Sequence, residues 1–436
     1  MTEAAGPLPG PVPDPYPVTP VAGPLDATVR PPGSKSITNR ALVCAALAPT
    51  PSRLTGALEA DDTQAMRGAL AALGPLVPAA GSGAGTGAGS APGASAGGVT
   101  VVDARQSGTT ARFVLPLLAL RREPTRLDGA PQLRARPMAD GIAALRALGA
   151  EVVEEGDPGH LPVLVRGPEA PTPGVTLDVA GDASSQFLSG LLMLGPVWPG
   201  GLRLRTSGGL VSRPYVDMTV AVMTAFGATV HADESGWTVD AGGYRGTDYT
   251  VEPDASAASY FFAAAAIVGG RVTVEGLGRA SLQGDLAFVD VLARMGCRVE
   301  RGSGATTVER TGDLVGVDVD MGDLSDTAPT LAAVAVFADS PTRVRGIGFI
   351  RHKETDRVGN VVRELRRCGI RAEEEPDGFV VHPGTPQPAT VATYDDHRMA
   401  MSFALLGLRA EGIRIAGPSC VAKTFPSFWT ALDRLR

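Results

Sequence analysis

The chain has 436 residues, of which 44% are hydrophobic and 19% charged, with 46 acidic against 39 basic side chains and a formal net charge of −7. That balance fits a globular protein with a large core in two or three domains and argues against the basic surface that nucleic-acid binding needs. Four scattered cysteines (Cys44, Cys297, Cys368, Cys420) and five histidines form neither a Cys-x-x-Cys pair nor a His-x-x-x-His spacing, so a reduced cytoplasmic protein without a metal site is expected.

Residues 1–24 are rich in Pro, Gly and Ala and lack a basic segment followed by an apolar run, so they read as a flexible tail rather than a leader peptide. Ser34-Lys35-Ser36-Ile37-Thr38-Asn39-Arg40 opens a helix and places Ser36 and Arg40 on one face at i, i+4. With Lys35 this offers two cations and a hydroxyl to a phosphate or carboxylate, although no Walker A pattern is present. A capped helix with surface charges is the alternative. Residues 79–99 are low-complexity Gly/Ala/Ser and are expected to form a surface loop.

Gln106 to Arg112 opens a second helix, where Gly108 admits a ligand close to the backbone and Arg112 is either a ligand contact or structural. Arg134 and Arg136, before Pro137, suit capture of an anion unless the loop is simply solvated. Ser184-Ser185-Gln186 begins a third helix with three neutral hydrogen-bonding side chains, and Ser212-Arg213-Pro214-Tyr215 is a further polar turn. The uncharged run 255–270 is shorter than the roughly 20 residues a bilayer requires.

Asp326 precedes a very apolar helical stretch, 328–338, and reads either as its cap or as an acid–base group. Arg351, Lys353, Glu354, Asp356 and Arg357 form either a salt-bridged helix end or part of a reactive cluster. Asp395-Asp396-His397-Arg398 and Lys423 complete the set, with His397 read as packed or capping. Only three lysines occur, Lys35, Lys353 and Lys423, against 36 arginines, and each lies in one of these polar motifs. A lysine kept where arginine serves everywhere else points to a need for a compact, titratable ammonium.

A repeat underlies these motifs. Helix-like stretches end in a large apolar residue plus glycine at Gly74, Gly149, Gly227, Gly296 and Gly369. Helix starts recur at Ser36, Thr109, Asp182, Asp254, Asp326 and Asp396, giving a period of roughly 70 residues. Six such units suit two globular halves of three βαβ-containing units each. Converging helix starts would pool their free N–H groups into an anion site; six independent caps would not. Many cations, several hydroxyls and two carboxylates spread over both halves suit two anionic substrates meeting in an interdomain cleft.

Taken together, the stretches 33–40, 107–112, 136–137, 182–188, 212–215, 353–357, 396–401 and 422–426 resemble, in order, the 5-enolpyruvylshikimate-3-phosphate synthases of the enolpyruvyl transferase family. The resemblance implies an α/β fold: a two-domain inside-out α/β barrel of six βαβαββ pseudo-repeats with buried helices, three per domain. It implies a tail at 1–15, a discontinuous domain of 16–33 plus 253–436, and a second domain, 34–252, carrying the loop 79–99. It also implies transfer of the enolpyruvyl group of phosphoenolpyruvate to the 5-hydroxyl of shikimate 3-phosphate in chorismate biosynthesis, with no cofactor and no metal. The substrates would be the only partners of a cytoplasmic monomer, with neither nucleic acid nor membrane involved.

By the same resemblance Lys35, Ser36, Arg40, Ser184, Ser185, Gln186, Ser212, Asp326 and Lys353 would hold shikimate 3-phosphate. Lys35, Gly108, Arg136, Gln186, Arg357, Arg398 and Lys423 would hold phosphoenolpyruvate, in the position that the herbicide glyphosate occupies in this family. Lys35, Asp326, Glu354 and Lys423 would be catalytic, with Asp326 accepting the hydroxyl proton and Glu354 protonating the methylene carbon. Gln106, Phe113 and Phe349 depart from the asparagine, proline and asparagine common at those places in the family. The alternatives are the related UDP-N-acetylglucosamine enolpyruvyl transferases, whose loop cysteine is missing from 131–137, and a non-catalytic anion-binding scaffold.

Overall fold

The structure is a computed structural model that describes residues 12–77, 98–180, 185–207 and 212–435. Residues 1–11 of the expected tail, 79–97 of the low-complexity stretch, the expected helix start Asp182, and Ser184 lie outside the described residues. The chain divides into two units, a split one (Met1–Pro32 with Pro253–Arg436) and a continuous one (Gly33–Glu252).

The sheets are built of short strands, several of them with period-two burial. In Thr125–Asp128, Thr125 and Leu127 turn inward while Arg126 and Asp128 stay half-buried. Such strands cover one face of a core and leave the other in water. In the continuous unit Thr100–Asp103 runs parallel to Thr125–Asp128, which pairs antiparallel with Val163–Arg166 and, through it, with Glu151–Glu154. The same order recurs in Val175–Ala180, Leu202–Ser207, Gly236–Val239 and Val230–Asp233. In the split unit it recurs twice more, once from Leu25–Val29 and Gly270–Glu275 and once from Asp318–Asp320 and Thr342–Arg345. Three of these four repeats are a parallel pair joined by a helix, a second helix and an antiparallel pair; in the one begun by Leu25–Val29 the chain first passes through the continuous unit, and Ala255–Val268 leads into Gly270–Glu275.

The helix joining each parallel pair lies inside its unit. Every residue of Gly108–Leu117, Ala328–Ala335 and His397–Gly407 is buried. Helices apolar all round require this position. In the split unit Ala255–Val268, Ala328–Ala335 and His397–Gly407 pack on one another, and a line of hydroxyls crosses them: Ser259 to Thr330 at 3.3 Å and Thr330 to Ser402 at 3.3 Å. The five repeat glycines all adopt left-handed φ, from 66° at Gly74 to 106° at Gly296, and so end the second helix of each repeat.

The remaining sheets are shorter. Arg53–Thr55 pairs parallel with Asp248–Thr250 in the continuous unit, and Ala389–Val391 pairs with Ile413–Ile415 beside Tyr16–Pro17 in the split unit. The two chain crossings follow Leu25–Val29 and Asp248–Thr250. Each of these strands pairs within one unit, and the next long helix of the sequence belongs to the other. Upstream of Tyr16, Asp14 Oδ1 already accepts from Gly417 N at 3.0 Å. Among the described residues no helix is long and apolar enough to cross a membrane.

Candidate active site

In the split unit the starts of the buried helices carry the charged groups. The turn Gly322–Thr327 precedes Ala328–Ala335 and brings Asp326 to three cations. Lys353 Nζ lies 2.6 Å and Arg357 Nη1 3.2 Å from its Oδ1, and Arg398 Nη2 lies 2.6 Å from its Oδ2. Asp326 is therefore no helix cap: the residue before that helix is Thr327, which makes no side-chain capping bond, and the carboxylate is turned to the cations. Burial alone would raise the Asp326 carboxyl, but Arg398, Lys353 and Arg357 outweigh it and hold the group well below the usual carboxylate range. Burial lowers the Lys353 ammonium, Asp326 opposes that, and the net direction is down.

Arg357, buried on the segment before Gly359–Arg367, connects three carboxylates. It donates to Glu354 Oε2 at 2.8 Å, to Asp396 Oδ2 and Oδ1 at 2.7 and 3.1 Å, and to Asp326. Glu354 Oε1 in turn meets Lys423 Nζ at 3.1 Å. Asp396 also caps His397–Gly407 by accepting from Arg398 N at 2.8 Å, which fixes the helix start that presents Arg398. Next to this group Asp285 is buried, accepts from Ser256 Oγ, and stands on a turn packed against the one bearing Asp326. Burial first and Asp326 second push its carboxyl up to about 6, against Arg398 and Ser256.

The continuous unit assembles its own set at helix starts. Ser34 caps Lys35–Ala46, and Lys35 Nζ lies 3.2 Å from Asp62 at the start of Asp61–Leu73. Asp62 O accepts from Thr110 Oγ1 at 3.4 Å, and Gln186 Nε2 donates to Thr109 Oγ1 at 3.2 Å, so four helix starts adjoin. Arg112 holds Gln186 Oε1 at 2.8 Å and Pro137 O at 3.3 Å, which makes it a brace for the Arg136–Pro137 segment. A Cβ at Gly108 would fall on the Arg136 guanidinium, so those two residues touch face to face. Ser185 and Ser212 are buried at their helix starts, Ser212 with φ 57°. Arg40 is buried, with its nitrogens on Thr219 Oγ1 (2.7 Å), Ser36 O (2.9 Å), Ser189 Oγ (3.3 Å) and Tyr215 O (3.0 Å).

Residues 20–432 match the family model of EPSP synthase (3-phosphoshikimate 1-carboxyvinyltransferase). The chain belongs to the EPSP synthase family. It is 44% identical over 416 residues to the 3-phosphoshikimate 1-carboxyvinyltransferase of Nostoc punctiforme, covering 93% of this chain and 96% of the relative. It is 43% identical over 417 residues to that of Methanoculleus marisnigri, covering 94% and 97%. Among solved structures, EPSP synthase from Acinetobacter baumannii superposes with a TM-score of 0.77 at 25% identity, over 96% of this chain and 97% of that one. An enolpyruvyl transferase from Streptomyces tendae, at 20% identity and TM-score 0.70 over 95% of each chain, shares the fold.

Within this EPSP synthase fold the expected residues fall into two groups. Asp326, Lys353, Glu354, Arg357, Arg398 and Lys423 lie in one ion-paired network of the split unit. Lys35, Ser36, Arg40, Gly108, Arg136, Ser185, Gln186 and Ser212 belong to the continuous unit. Two departures from the family pattern have a structural account. Phe113 lies beneath the Arg40 guanidinium at 5.0 Å, and Phe349 lies 5.7 Å from the Lys353 ammonium, so each ring faces a cation. The sequence reading did not single out Asp62 or Asp285 and took Asp396 as a helix start without its ion pair, because their partners Lys35, Ser256 and Arg357 lie 27 to 39 residues away along the chain. The local signals were the capping place of Asp396 and the first-turn place of Asp62 in Asp61–Leu73.

Proposed function

We propose that the chain transfers the enolpyruvyl group of phosphoenolpyruvate to the 5-hydroxyl of shikimate 3-phosphate, releasing phosphate, with Asp326 as the base and Glu354 as the acid. The observation that carries the residue roles is one buried guanidinium, Arg357, holding both carboxylates, each of which also has its own lysine: Lys353 on Asp326 and Lys423 on Glu354. Addition across an enol needs a base at the attacking hydroxyl and an acid at the methylene carbon. Asp326 takes the 5-hydroxyl proton as that oxygen bonds to the central carbon of phosphoenolpyruvate. Glu354 gives a proton to the methylene, making a methyl group. Loss of phosphate, which carries off the proton held by Asp326, and return of a methyl proton to Glu354 then give the enol ether as product.

The ion pairs explain how such a base becomes usable. Three cations keep Asp326 ionised, the correct form, but weakly basic. A phosphate or carboxylate group of phosphoenolpyruvate bound by Arg357, Arg398 and Lys423 shares their charge, and the proton affinity of Asp326 and Glu354 rises. Lys35, Gly108, Arg136 and Gln186 complete phosphoenolpyruvate binding. Ser36, Ser184, Ser185, Gln186, Ser212, Lys35, Lys353 and Asp326 bind shikimate 3-phosphate. Arg40, engaged by four groups of its own unit, acts by fixing the helix start that carries Lys35 and Ser36. A cytoplasmic monomer is the proposed form.

Phosphate release tests the reading. It should require phosphoenolpyruvate and shikimate 3-phosphate together. Asp326→Asn and Glu354→Gln should each lose about 10²–10⁴-fold in turnover while calorimetry still shows shikimate 3-phosphate binding. Release from either substrate alone, or undiminished turnover in both variants, contradicts it.

A further inference from the structure

Glu364 is a fully buried carboxylate that the reaction does not use. It projects from Gly359–Arg367 onto the loop that leads into His397–Gly407. Its Oε1 accepts from Tyr394 Oη at 2.6 Å, and its Oε2 accepts from Ala392 N at 3.0 Å and pairs with Arg367 Nε at 2.9 Å. Burying a carboxylate is costly unless it is bonded in this way, so the position has to be one where two fixed acceptors are needed.

The loop supplies that need. Tyr394 and Asp395 have φ of 55° and 57°, two successive non-glycine residues in the left-handed region that L side chains disfavour. Such backbone persists only where its surroundings hold it. Other bonds hold the ends of the turn: Thr393 Oγ1 donates to Ala416 O at 2.9 Å, and Asp396 N donates to Thr393 O at 2.9 Å. The Arg363 guanidinium lies 5.9 Å from the Tyr394 ring. Asp396 follows at once, with its bonds to Arg357 and to Arg398 N. The turn therefore sets the residue that orients two of the cations.

We propose that Glu364 is a positioning residue for phosphoenolpyruvate, clamping the 392–395 turn in its left-handed form so that Asp396 presents Arg357 and Arg398 to the anion. The inference rests on the reading of those arginines as phosphoenolpyruvate ligands. Glu364→Gln keeps the shape but can accept through one oxygen only, so one of the two loop bonds is lost. Tyr394→Phe removes the hydroxyl alone and leaves the helix core untouched, which keeps the test open should Glu364→Gln fold poorly.

Steady-state kinetics on the full chain would be measured for both variants, the double variant and Arg398→Lys. Glu364→Gln should raise KM for phosphoenolpyruvate about tenfold, as for one lost bond to a charged acceptor, with kcat and the affinity for shikimate 3-phosphate nearly unchanged. Tyr394→Phe should move the same constant in the same direction. The double variant should raise KM by less than the product of the two single effects, since both act on one clamp. An unchanged KM, or equal rises in KM for both substrates, would overturn the proposal. Arg398→Lys separates the two layers: if it leaves KM for phosphoenolpyruvate unchanged, the ligand reading itself fails. If it raises KM while Glu364→Gln does not, only the role of Glu364 fails.

Discussion

A methyl group added at Gly108 would lie 2.7 Å from Cζ of Arg136, closer than any real contact. The obstacle is the far end of a flexible side chain, so the fold survives and the guanidinium moves. Gly108→Ala should therefore raise KM for phosphoenolpyruvate about tenfold or more, since roughly an ångström of misplacement is costly, and leave KM for shikimate 3-phosphate close to its original value. Equal KM values for phosphoenolpyruvate in the two proteins would contradict the assignment of Arg136. Asp285 makes a second residue-scale prediction through pH. Its carboxyl stands at about 6 in the folded chain against an ordinary 3.8, raised by burial and by Asp326. A raised folded value gives a stabilising contribution that is complete below the unfolded value and is lost as pH climbs through the folded one. Asp285→Asn cannot ionise, so at about pH 7.5 it should be more stable than the parent by about 1–3 kcal/mol, a margin that shrinks toward about pH 4. Denaturant titration at the two pH values checks this, and a margin independent of pH would contradict it. Neither Asp285 nor Asp62 could be read as functional from the sequence. A carboxylate of that kind is defined by the ion pair it makes across the fold, and nothing beside Asp62 or Asp285 in the chain announces Lys35 or Ser256.

At the scale of elements, what was legible was what a residue decides locally. The repeat glycines were visible because a helix end in left-handed backbone selects glycine, whatever packs around it. Gly149 isolates that effect. Its φ is 87°, and a Cβ there would make only an ordinary 3.6 Å contact with Pro168. Gly149→Ala should cost about 1–2 kcal/mol from backbone conformation alone, lowering the thermal midpoint by a few degrees with KM for both substrates unmoved. An unchanged midpoint would contradict the helix-end reading. Asp326 shows the opposite case. Its place before an apolar helix has the form of a cap, yet it lies within the tight turn Gly322–Thr327 and its carboxylate meets Lys353, Arg357 and Arg398, which no local pattern reveals. The three-residue strands Arg53–Thr55 and Asp248–Thr250 escaped notice for a similar reason. They are short, and each finds its parallel partner some 195 residues away.

At the scale of the whole molecule, the scarcity of lysine gains a physical meaning. Lys35 pairs with Asp62 at 3.2 Å, Lys353 with Asp326 at 2.6 Å and Lys423 with Glu354 at 3.1 Å, so each of the three lysines stands against a carboxylate that is largely buried. Among the described residues arginine serves the other kinds of pair, at the surface, as in Arg126 with Glu155 or Arg205 with Asp178, and inside the network, as in Arg357 with Asp396. A surface pair contributes little and tolerates either cation, whereas each lysine of this chain is confined to a carboxylate largely out of water. The proposed mechanism has Glu354 protonate the methylene carbon and take a proton back. The direct test is to run the reaction in deuterium oxide and examine the methylene of the product by mass spectrometry and NMR. Addition followed by elimination predicts deuterium in that methylene, only when both substrates are present and not with Glu354→Gln. A product formed at full rate with no deuterium would mean that phosphate is displaced without carbon protonation, and the role of Glu354 would fall.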